Sequence, residues 1–324
     1  MINRKALSLD FLKPVVELEY QIKQLSKLAQ RDKFNISYEV NTFEKRLLDL
    51  KKEIFESLTA LQRLNLVRHA DRPTTLDYIP LVFDDWLELH GDRGGTDDLA
   101  LIGGIGKLNG STVICIGNQR GKDTKDNVIR NFGMASPGGY RKALRLMQHA
   151  NQFKFPILTF IDTPGAWAGI EAERLGQAQA IAVNLREMFS FEVPIICTII
   201  GEGGSGGALG IGVGDRILMF EYAVYTVATP EACAAILWKD SKQSLEAAEA
   251  LKITSSDLKV LGIIDNIIEE PIGGSQSNLY IAAQTLKSSL LSELAQLKRL
   301  TGKQIKEMRY KKFRKMGTFY EELL

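Results

Sequence analysis

Hydrophobic residues near the start of the chain recur at the spacing of amphipathic helices. A first stripe consists of Leu18, Ile22, Leu25 and Leu28. A second, longer stripe consists of Phe43, Leu47, Leu50, Ile54, Leu58 and Leu61. Steps of three and four residues place these side chains on one helix face. Asn41 and Thr42 precede the second stripe and predict a helix start there.

The end of the chain repeats this pattern and then becomes basic. A third stripe consists of Leu286, Leu290, Leu294 and Leu297. The basic run after it consists of Lys303, Lys306, Arg309, Lys311, Lys312, Arg314 and Lys315. Charge runs are usually solvated, so we expect an exposed helix face. The alternative is a docking surface for an acidic partner or a phosphate-bearing ligand.

The middle of the chain alternates short, β-rich apolar runs with helical stretches. Residues 111–116 are a strand candidate. Two later units resemble each other: 155–161 leads into 162–166, and 193–200 leads into 201–207. Helical patterns follow at 171–190 and about 206–214, and Thr229-Pro230-Glu231 predicts a further helix start. Such repeats predict an α/β fold with parallel strands and ligand loops at their carboxyl ends.

The distribution of glycine divides the chain into three parts. Of the 28 glycines, only Gly302 and Gly317 lie outside residues 91–274. Glycine is unfavourable inside helices and useful where a loop approaches a ligand. We therefore predict a helical N-terminal extension over 1–80, a core over 81–274 and a helical, basic tail over 275–324.

Composition excludes several classes of protein. The 324 residues are 45% hydrophobic and 25% charged, with a net charge of +2, which argues against disorder and against a general polyanion binder. Three cysteines without a Cys-x-x-Cys pair and three scattered histidines predict neither a disulfide framework nor a structural zinc site. The apolar runs are shorter than the roughly 20 residues of a membrane span. We find no apolar signal core at the N-terminus and expect a reducing, intracellular compartment.

The segment Gly203-Gly204-Ser205-Gly206-Gly207 is the strongest candidate site. It is predicted to follow a strand and open a helix, where N–H groups lack partners and the helix dipole is positive. Without Cβ atoms, these N–H groups can approach a developing oxyanion or a phosphate. The alternative is that the glycines only allow close packing of helix on strand.

Three other motif matches fail on inspection. Gly-x-Ser-x-Gly would make Ser205 a hydrolase nucleophile, but the last histidine, His149, precedes it, which is the wrong order for an α/β-hydrolase. Asp162-Thr163-Pro164-Gly165 resembles a GTPase switch, but no Gly-Lys-Ser/Thr phosphate loop exists. We expect Asp162 to anchor a loop. The glycines at 210–214 lie within or after a helix and are no dinucleotide fingerprint.

A second loop candidate spans residues 131–140 and feeds a helix that begins near Arg141. Four cations lie around it: Lys122, Lys125, Arg130 and Arg141. They are candidates to meet a carboxylate or phosphate, and surface solubility is the equally weighted alternative.

Seven stretches together resemble one family, the alpha subunits of the acetyl-coenzyme A carboxylase carboxyltransferase. They are Arg72 to Tyr78, Gly91 to Arg93, Arg130 to Met134, Gly139 to Met147, Ile161 to Ala166, Cys197 to Leu209 and Thr229 to Trp238. The resemblance covers nearly the whole chain. One departure is Trp167-Ala168, where many bacterial members carry Tyr-Pro; this form is similar to cyanobacterial or algal plastid members.

The resemblance implies a crotonase-like (ClpP/crotonase) spiral of strand–strand–helix units. It implies carboxyl transfer from carboxybiotin, tethered to the biotin carboxyl carrier protein, to acetyl-CoA, which gives malonyl-CoA for fatty acid synthesis. The implied catalytic groups are the backbone N–H groups of Gly206 and Gly207, an oxyanion hole for biotin. The implied substrate-binding residues are Gly133, Arg141, Gly165, Ala166, Gly203, Gly204 and Ser205.

The resemblance also implies partners. The alpha subunit works with a beta subunit in an α2β2 assembly, and the beta subunit stabilises the acetyl-CoA enolate and, in bacteria, carries the zinc. Biotin carboxylase completes the system, in the bacterial cytoplasm or the plastid stroma. Two alternatives remain: a self-sufficient crotonase-type hydratase or decarboxylase, and a non-catalytic scaffold.

Overall fold

The apolar runs of the middle segment form an eight-stranded sheet. In the computed structural model, which describes residues 9–32 and 37–317, its order is β1-β2-β3-β4-β5-β6-β8, and β7 pairs with β5. The strands are β1 (Asp85–Glu88), β2 (Leu101–Leu108), β3 (Ser111–Asn118), β4 (Ile157–Thr163), β5 (Ile195–Gly204), β6 (Arg216–Phe220), β7 (Val224–Thr226) and β8 (Asn266–Ile268). The α/β class is confirmed.

The expectation of parallel strands is right for the strand pairs from β3–β4 onward and wrong for the pairs β1–β2 and β2–β3. β1, β2 and β3 are antiparallel, whereas β3–β4, β4–β5, β5–β6 and β6–β8 are parallel. For β2 and β3 the physical reason is the two-residue turn between them. Asn109 and Gly110 both have positive φ, 48° and 74°, and Asn-Gly turns of this kind join antiparallel strands.

The repeat predicted from the sequence is present in the two central strands. Ile157 of β4 pairs with Ile195 of β5, an offset that persists to Ile161 and Ile199. Pro156 and Pro194 lie just before these strands, where their missing N–H groups remove no ladder bond. Both strands are buried along their whole length, as in parallel sheets covered on both faces.

Helices precede, separate and follow the strands along the chain. They are α1 (Lys13–Asp32), α2 (Ser37–Glu56), α3 (Ala60–Val67), α4 (Thr75–Val82), α5 (Thr124–Ile129), α6 (Pro137–Phe153), α7 (Ile170–Arg174), α8 (Gln177–Ser190), α9 (Ser205–Leu209), α10 (Pro230–Trp238), α11 (Ser244–Ala250), α12 (Ser255–Val260), α13 (Leu279–Leu297) and α14 (Gly302–Arg314). No helix within these described ranges is long and apolar enough to cross a membrane. The three-part division of the chain stays a prediction, and residues 318–324 of the predicted tail lie outside the described part.

Several predicted helix bounds are wrong for local reasons. The helix of the second stripe begins at Ser37, before Asn41, and the stripe is split between α2 and α3, because Thr59 starts α3 with a capping box. The helix predicted over 171–190 is interrupted at Gly176, whose φ is +80°. The helix predicted over 206–214 is only α9. The helix predicted at Thr229 is confirmed, since the Thr229 side chain accepts a hydrogen bond from the N–H of Ala232.

The tail is attached to the core by one of its predicted surface charges. The leucine stripe of α13 is buried, as expected. Arg309 of α14, however, is completely buried, and its guanidinium binds the Asp215 carboxylate at 2.7 and 3.0 Å. It also donates to the carbonyl oxygens of Phe191 and Val193, both at 2.9 Å. The prediction of a solvated basic face is therefore wrong at Arg309.

Candidate active site

The predicted glycine loop is the end of a strand joined directly to a helix. Gly203 and Gly204 belong to β5 and pair with Tyr225 and Thr226 of β7. The sequence suggested that they belong to a loop, but they are strand residues. A Cβ at Gly203 would lie 2.8 Å from the Tyr225 ring, and one at Gly204 would lie 2.1 Å from the Pro164 carbonyl oxygen. Close packing accounts for both glycines.

The chain turns from β5 into α9 at Ser205. This residue is exposed and has a φ of +52°, in the left-handed region that residues other than glycine rarely adopt. The turn lets α9 begin without an intervening loop. Gly206 and Gly207 then occupy the first turn of α9, where N–H groups have no partner inside a helix.

Gly206 and Gly207 differ in what surrounds them. A Cβ at Gly207 would lie 2.2 Å from the carbonyl carbon of Gly165 and 2.4 Å from the Ala166 nitrogen. At Gly206 the nearest atom to an added Cβ would be Ile181 Cδ1, at 4.0 Å, and at Gly165 nothing lies within 4 Å. Packing within the described chain explains Gly207 but not Gly206 or Gly165.

An open, mostly apolar cavity of about 410 Å³ adjoins this turn. Ser205 and Gly206 form part of its wall, and the other lining residues are Leu209, Tyr225, Thr226, Val227, Leu251, Leu258 and Ile263. Its volume is within the range of small-molecule sites, about 300–1,000 Å³. Leu251, Leu258 and Ile263 come from the segment after α10, and no sequence motif marked them.

A network of charged side chains lies behind the turn. Glu202 is buried and accepts hydrogen bonds from Arg68 at 2.6 and 3.0 Å and from Arg120 at 2.9 Å. Arg120 also contacts the buried Asp162 carboxylate at 3.1 Å. Asp162 in turn accepts the backbone N–H of Glu202 at 3.0 Å, so it anchors a strand end as expected of a structural carboxylate.

The two carboxyl groups of this network have opposite pKa shifts. Burial raises the pKa of Asp162, and the positive charge of Arg120 offsets this only in part. Burial also acts to raise the pKa of Glu202, but the hydrogen bond from Arg68 and the charges of Arg120 and Arg68 outweigh it and lower that pKa. No cluster of metal-ligating residues occurs among the described residues.

The remaining predicted residues lie around the turn rather than in the cavity wall. Gly133 has a φ of +81°, and a Cβ there would lie 2.9 Å from Arg120 Cγ, so it makes room for that side chain. The Arg141 guanidinium donates to the carbonyl oxygen of Leu175, at the break between α7 and α8. Trp167 is the first residue of the Trp-Ala pair that differs from many bacterial family members. Its backbone N–H donates a hydrogen bond to the carbonyl oxygen of Ala135 at 3.0 Å.

Two of the other loop cations have partners within the chain, which fits the solubility alternative. Lys122 pairs with Asp77, and Arg130 pairs with Asp126 at 2.9 Å. Two of the three histidines lie elsewhere: His90 contacts Asp97 at 3.1 Å, and the His149 ring stacks on Phe153. No histidine is part of the cavity wall as formed by the described residues.

Comparison with solved structures confirms the crotonase-like fold. A transcarboxylase 12S structure superposes with a TM-score of 0.54 at 19% identity, covering 68% of this chain and 42% of that one. The Pseudomonas malonate decarboxylase MdcD-MdcE hetero-dimer superposes with a TM-score of 0.54 at 18% identity, covering 74% of this chain and 97% of that one.

Sequence comparison is far more specific. A family model described as acetyl co-enzyme A carboxylase carboxyltransferase-like matches residues 8–317. The acetyl-coenzyme A carboxylase carboxyl transferase subunit alpha of Gracilaria tenuistipitata var. liui is 74% identical over 321 residues, which span 99% of this chain and 98% of the relative. That of Crocosphaera subtropica is 62% identical over 319 residues, spanning 98% of this chain and 96% of the relative. The chain therefore belongs to the family of acetyl-coenzyme A carboxylase carboxyltransferase alpha subunits.

Proposed function

We propose that this chain supplies the biotin side of a carboxyltransferase active site, with the N–H groups of Gly206 and Gly207 as an oxyanion hole. The reaction moves a carboxyl group from carboxybiotin to acetyl-CoA and yields malonyl-CoA. One observation carries the proposal: Gly206 lies in the first turn of a helix at an apolar cavity, and no packing contact of the described chain requires a glycine there.

The proposed reaction requires hydrogen-bond donors for a growing negative charge, and backbone N–H groups can supply them. When the N–CO2 bond of carboxybiotin breaks, its electron pair remains on the ureido group and negative charge grows on the ureido oxygen. Two fixed N–H donors stabilise that charge, and loss of one such donor typically costs about 3–4 kcal/mol in comparable sites. The ureido nitrogen then takes a proton from the acetyl methyl group, and the resulting carbanion bonds to CO2. No side-chain base is required.

The cavity fits the substrate on this side of the reaction. The thioether ring of biotin, which is fused to the polar ureido ring, is apolar, as is the wall formed by Leu209, Val227 and Leu258. Gly165 and Ser205 are proposed to face the substrate beside Gly206. The other candidate binding residues are proposed to hold this geometry from behind, namely Gly133, Arg141, Ala166, Gly203 and Gly204.

A beta subunit completes the proposed site. As an alpha subunit, the chain has a beta partner by definition; that they form an α2β2 assembly and that the beta subunit holds the acetyl-CoA enolate are proposals. Exposed apolar residues support a covering partner: Val227 of the cavity wall is 74% exposed, Val260 is 88% exposed, and Ile236 and Leu237 of α10 are 74% and 64% exposed. The carrier protein and biotin carboxylase supply carboxybiotin, which is not attached to this chain.

The relatives also bear on location. They come from red algae and cyanobacteria, and we propose the plastid stroma or a bacterial cytoplasm as the place of action. The relatives are named as carboxyl transferase subunits. No observation supports the alternatives of a self-sufficient hydratase or decarboxylase or of a non-catalytic scaffold.

The test is carboxyl transfer from malonyl-CoA to a free biotin derivative, measured with this chain alone and with a beta subunit from a relative. Activity in the mixture only is the expected result. Activity of this chain alone would mean that it contains the whole site and would overturn the division between subunits. A well-folded mixture without activity would overturn the proposed reaction.

A further inference from the structure

The end of β5 is displaced from the regular pairing of the sheet. Ile161 of β4 pairs with Ile199 of β5, and the next pair is Thr163 with Gly203. Asp162 alone therefore faces three residues of β5, so that β5 carries two extra residues at this point. Bulges of this kind bend a strand and re-aim the residues after the bend, and they are common beside active sites.

The Asp162 carboxylate occupies the space that the bulge opens. Its Oδ1 accepts the N–H of Glu202 at 3.0 Å, which replaces a ladder bond that the bulge removes. A Cβ at Gly201 would lie 2.3 Å from the same oxygen, so glycine at 201 makes room for the carboxylate. The side chain of one strand thus sets the path of the other.

Arg120 fixes this carboxylate from the next strand of the sheet. It follows β3, and its guanidinium reaches both Asp162, at 3.1 Å, and Glu202, at 2.9 Å. Gly133 leaves the space that the Arg120 side chain fills. The bulge is therefore held at two points of Glu202: Asp162 binds its backbone N–H, and Arg120 binds its carboxylate. Glu202 lies four residues before Gly206, so a shift at Glu202 is passed through two strand residues and one tight turn.

The chain contains a close match to this arrangement at the other end of β5. Asp215 is also buried, is also paired with an arginine, Arg309, and also accepts a backbone N–H, that of Ile195 at 2.7 Å. Burial raises the pKa of both carboxyl groups. The difference is location: Asp215 holds the first residue of β5, and Asp162 holds Glu202, three residues before the turn at Ser205.

We propose that Asp162 and Arg120 are positioning residues: they hold the bulge of β5 and through it orient the Gly206 N–H toward the substrate. This inference rests on the proposed function of that N–H. It assigns Gly201 and Gly133 to the same device, as the glycines that admit the two side chains.

The test compares Asp162→Asn with Asp215→Asn in the complex with the beta subunit, below the melting temperature of each variant. Asp162→Asn keeps the volume but loses the charge that Arg120 neutralises. We expect kcat for carboxyl transfer from malonyl-CoA to a biotin derivative to fall about tenfold or more with KM for malonyl-CoA nearly unchanged, because small displacements of catalytic groups act on kcat. In Asp215→Asn we expect a similar loss of melting temperature and a kcat near that of the unaltered protein.

Amide hydrogen exchange supplies a second readout that does not depend on turnover. Peptides covering 201–209 are expected to exchange faster in Asp162→Asn than in Asp215→Asn. If Asp162→Asn does not fold, Arg120→Lys takes its place, because lysine keeps the charge but lacks the rigid fork in which separate guanidinium nitrogens face Asp162 and Glu202. It is expected to lower kcat and speed exchange over 201–209 in the same way.

Unchanged kcat and exchange in a folded Asp162→Asn or Arg120→Lys variant would overturn the inference, as would equal losses in Asp215→Asn. Failure of the proposed function looks different. The unaltered protein would then be inactive with its beta subunit, and the exchange comparison would still decide whether Asp162 positions the turn.

Discussion

Gly206 and Gly207 are adjacent in the chain, yet only Gly207 is a glycine for reasons of packing. An added Cβ at Gly207 would lie 2.2 Å from the carbonyl carbon of Gly165, whereas at Gly206 the nearest atom would be 4.0 Å away. Close packing therefore explains why Gly207 has no side chain, and the proposed anion site explains why Gly206 has none.

This contrast predicts opposite effects on stability. Gly207→Ala drives a methyl group into backbone atoms, and we expect the free energy of unfolding to fall by about 1–3 kcal/mol, as for other overpacked sites. Gly206→Ala is expected to leave it unchanged or raise it by up to about 1 kcal/mol, since alanine favours helix. Urea unfolding of both variants measures the difference. Equal destabilisation would mean that the space at Gly206 is not open.

Ser205 is expected to be dispensable for the chemistry. The proposed donors are backbone N–H groups, so Ser205→Ala should retain most carboxyl transfer when assayed with the beta subunit. Ser205→Gly is a useful companion, because glycine relieves the φ of +52° at this position. Complete loss of transfer in a folded Ser205→Ala would instead support a role for the hydroxyl group.

Glu202 is expected to link stability to pH. Its pKa is lowered in the folded protein by Arg68 and Arg120, so it stabilises the fold above its ordinary pKa and loses this contribution as pH falls through the lowered value. At neutral pH, Glu202→Gln should cost about 3 kcal/mol, as for a broken buried ion pair. The gap between variant and unaltered protein should narrow as pH drops below about 4. A gap independent of pH in urea unfolding would refute this assignment.

Arg309 is expected to hold the tail to the core. Arg309→Met removes the charge that compensates the buried Asp215 and should reduce the free energy of unfolding by about 3–5 kcal/mol. Lys311→Ala, in the same helix but 65% exposed at its side chain, should change it by less than about 0.5 kcal/mol. Similar values for the two variants would restore the view of α14 as a uniformly solvated basic helix.

The elements that depend on short-range pattern were predictable. The leucines of α13, the twin strands β4 and β5 and the start of α10 all express periodicity or capping that neighbouring residues determine. The misplaced bounds, such as the break at Gly176, depend on a single residue with positive φ. The antiparallel start of the sheet had a sequence signal, Asn109-Gly110, which lies outside the repeated strand–loop–helix units.

The glycine segment of the candidate site could be recognised from the sequence, whereas the residues that surround it could not. The run from Gly203 to Gly207 was identified from the sequence, but its division between strand and helix depends on pairing with β7. Away from the site, the burial of Arg309 could not be predicted either, because its partner Asp215 lies 94 residues away in the chain. The cavity wall likewise combines residues that only the fold brings together.

The role of the Gly206 N–H is tested most directly by the turnover of Gly206→Val in the complex with the beta subunit. The valine side chain would meet no atom of this chain closer than Ile181 Cδ1, which lies 4.0 Å from the added Cβ. It would instead occupy space next to the proposed position of the substrate oxyanion. We predict a protein with unaltered melting temperature and assembly, and carboxyl transfer from malonyl-CoA to a biotin derivative reduced about 100-fold or more, as when an oxyanion donor is lost. Near-normal turnover in that folded complex would contradict the assignment of the Gly206 N–H to the reaction.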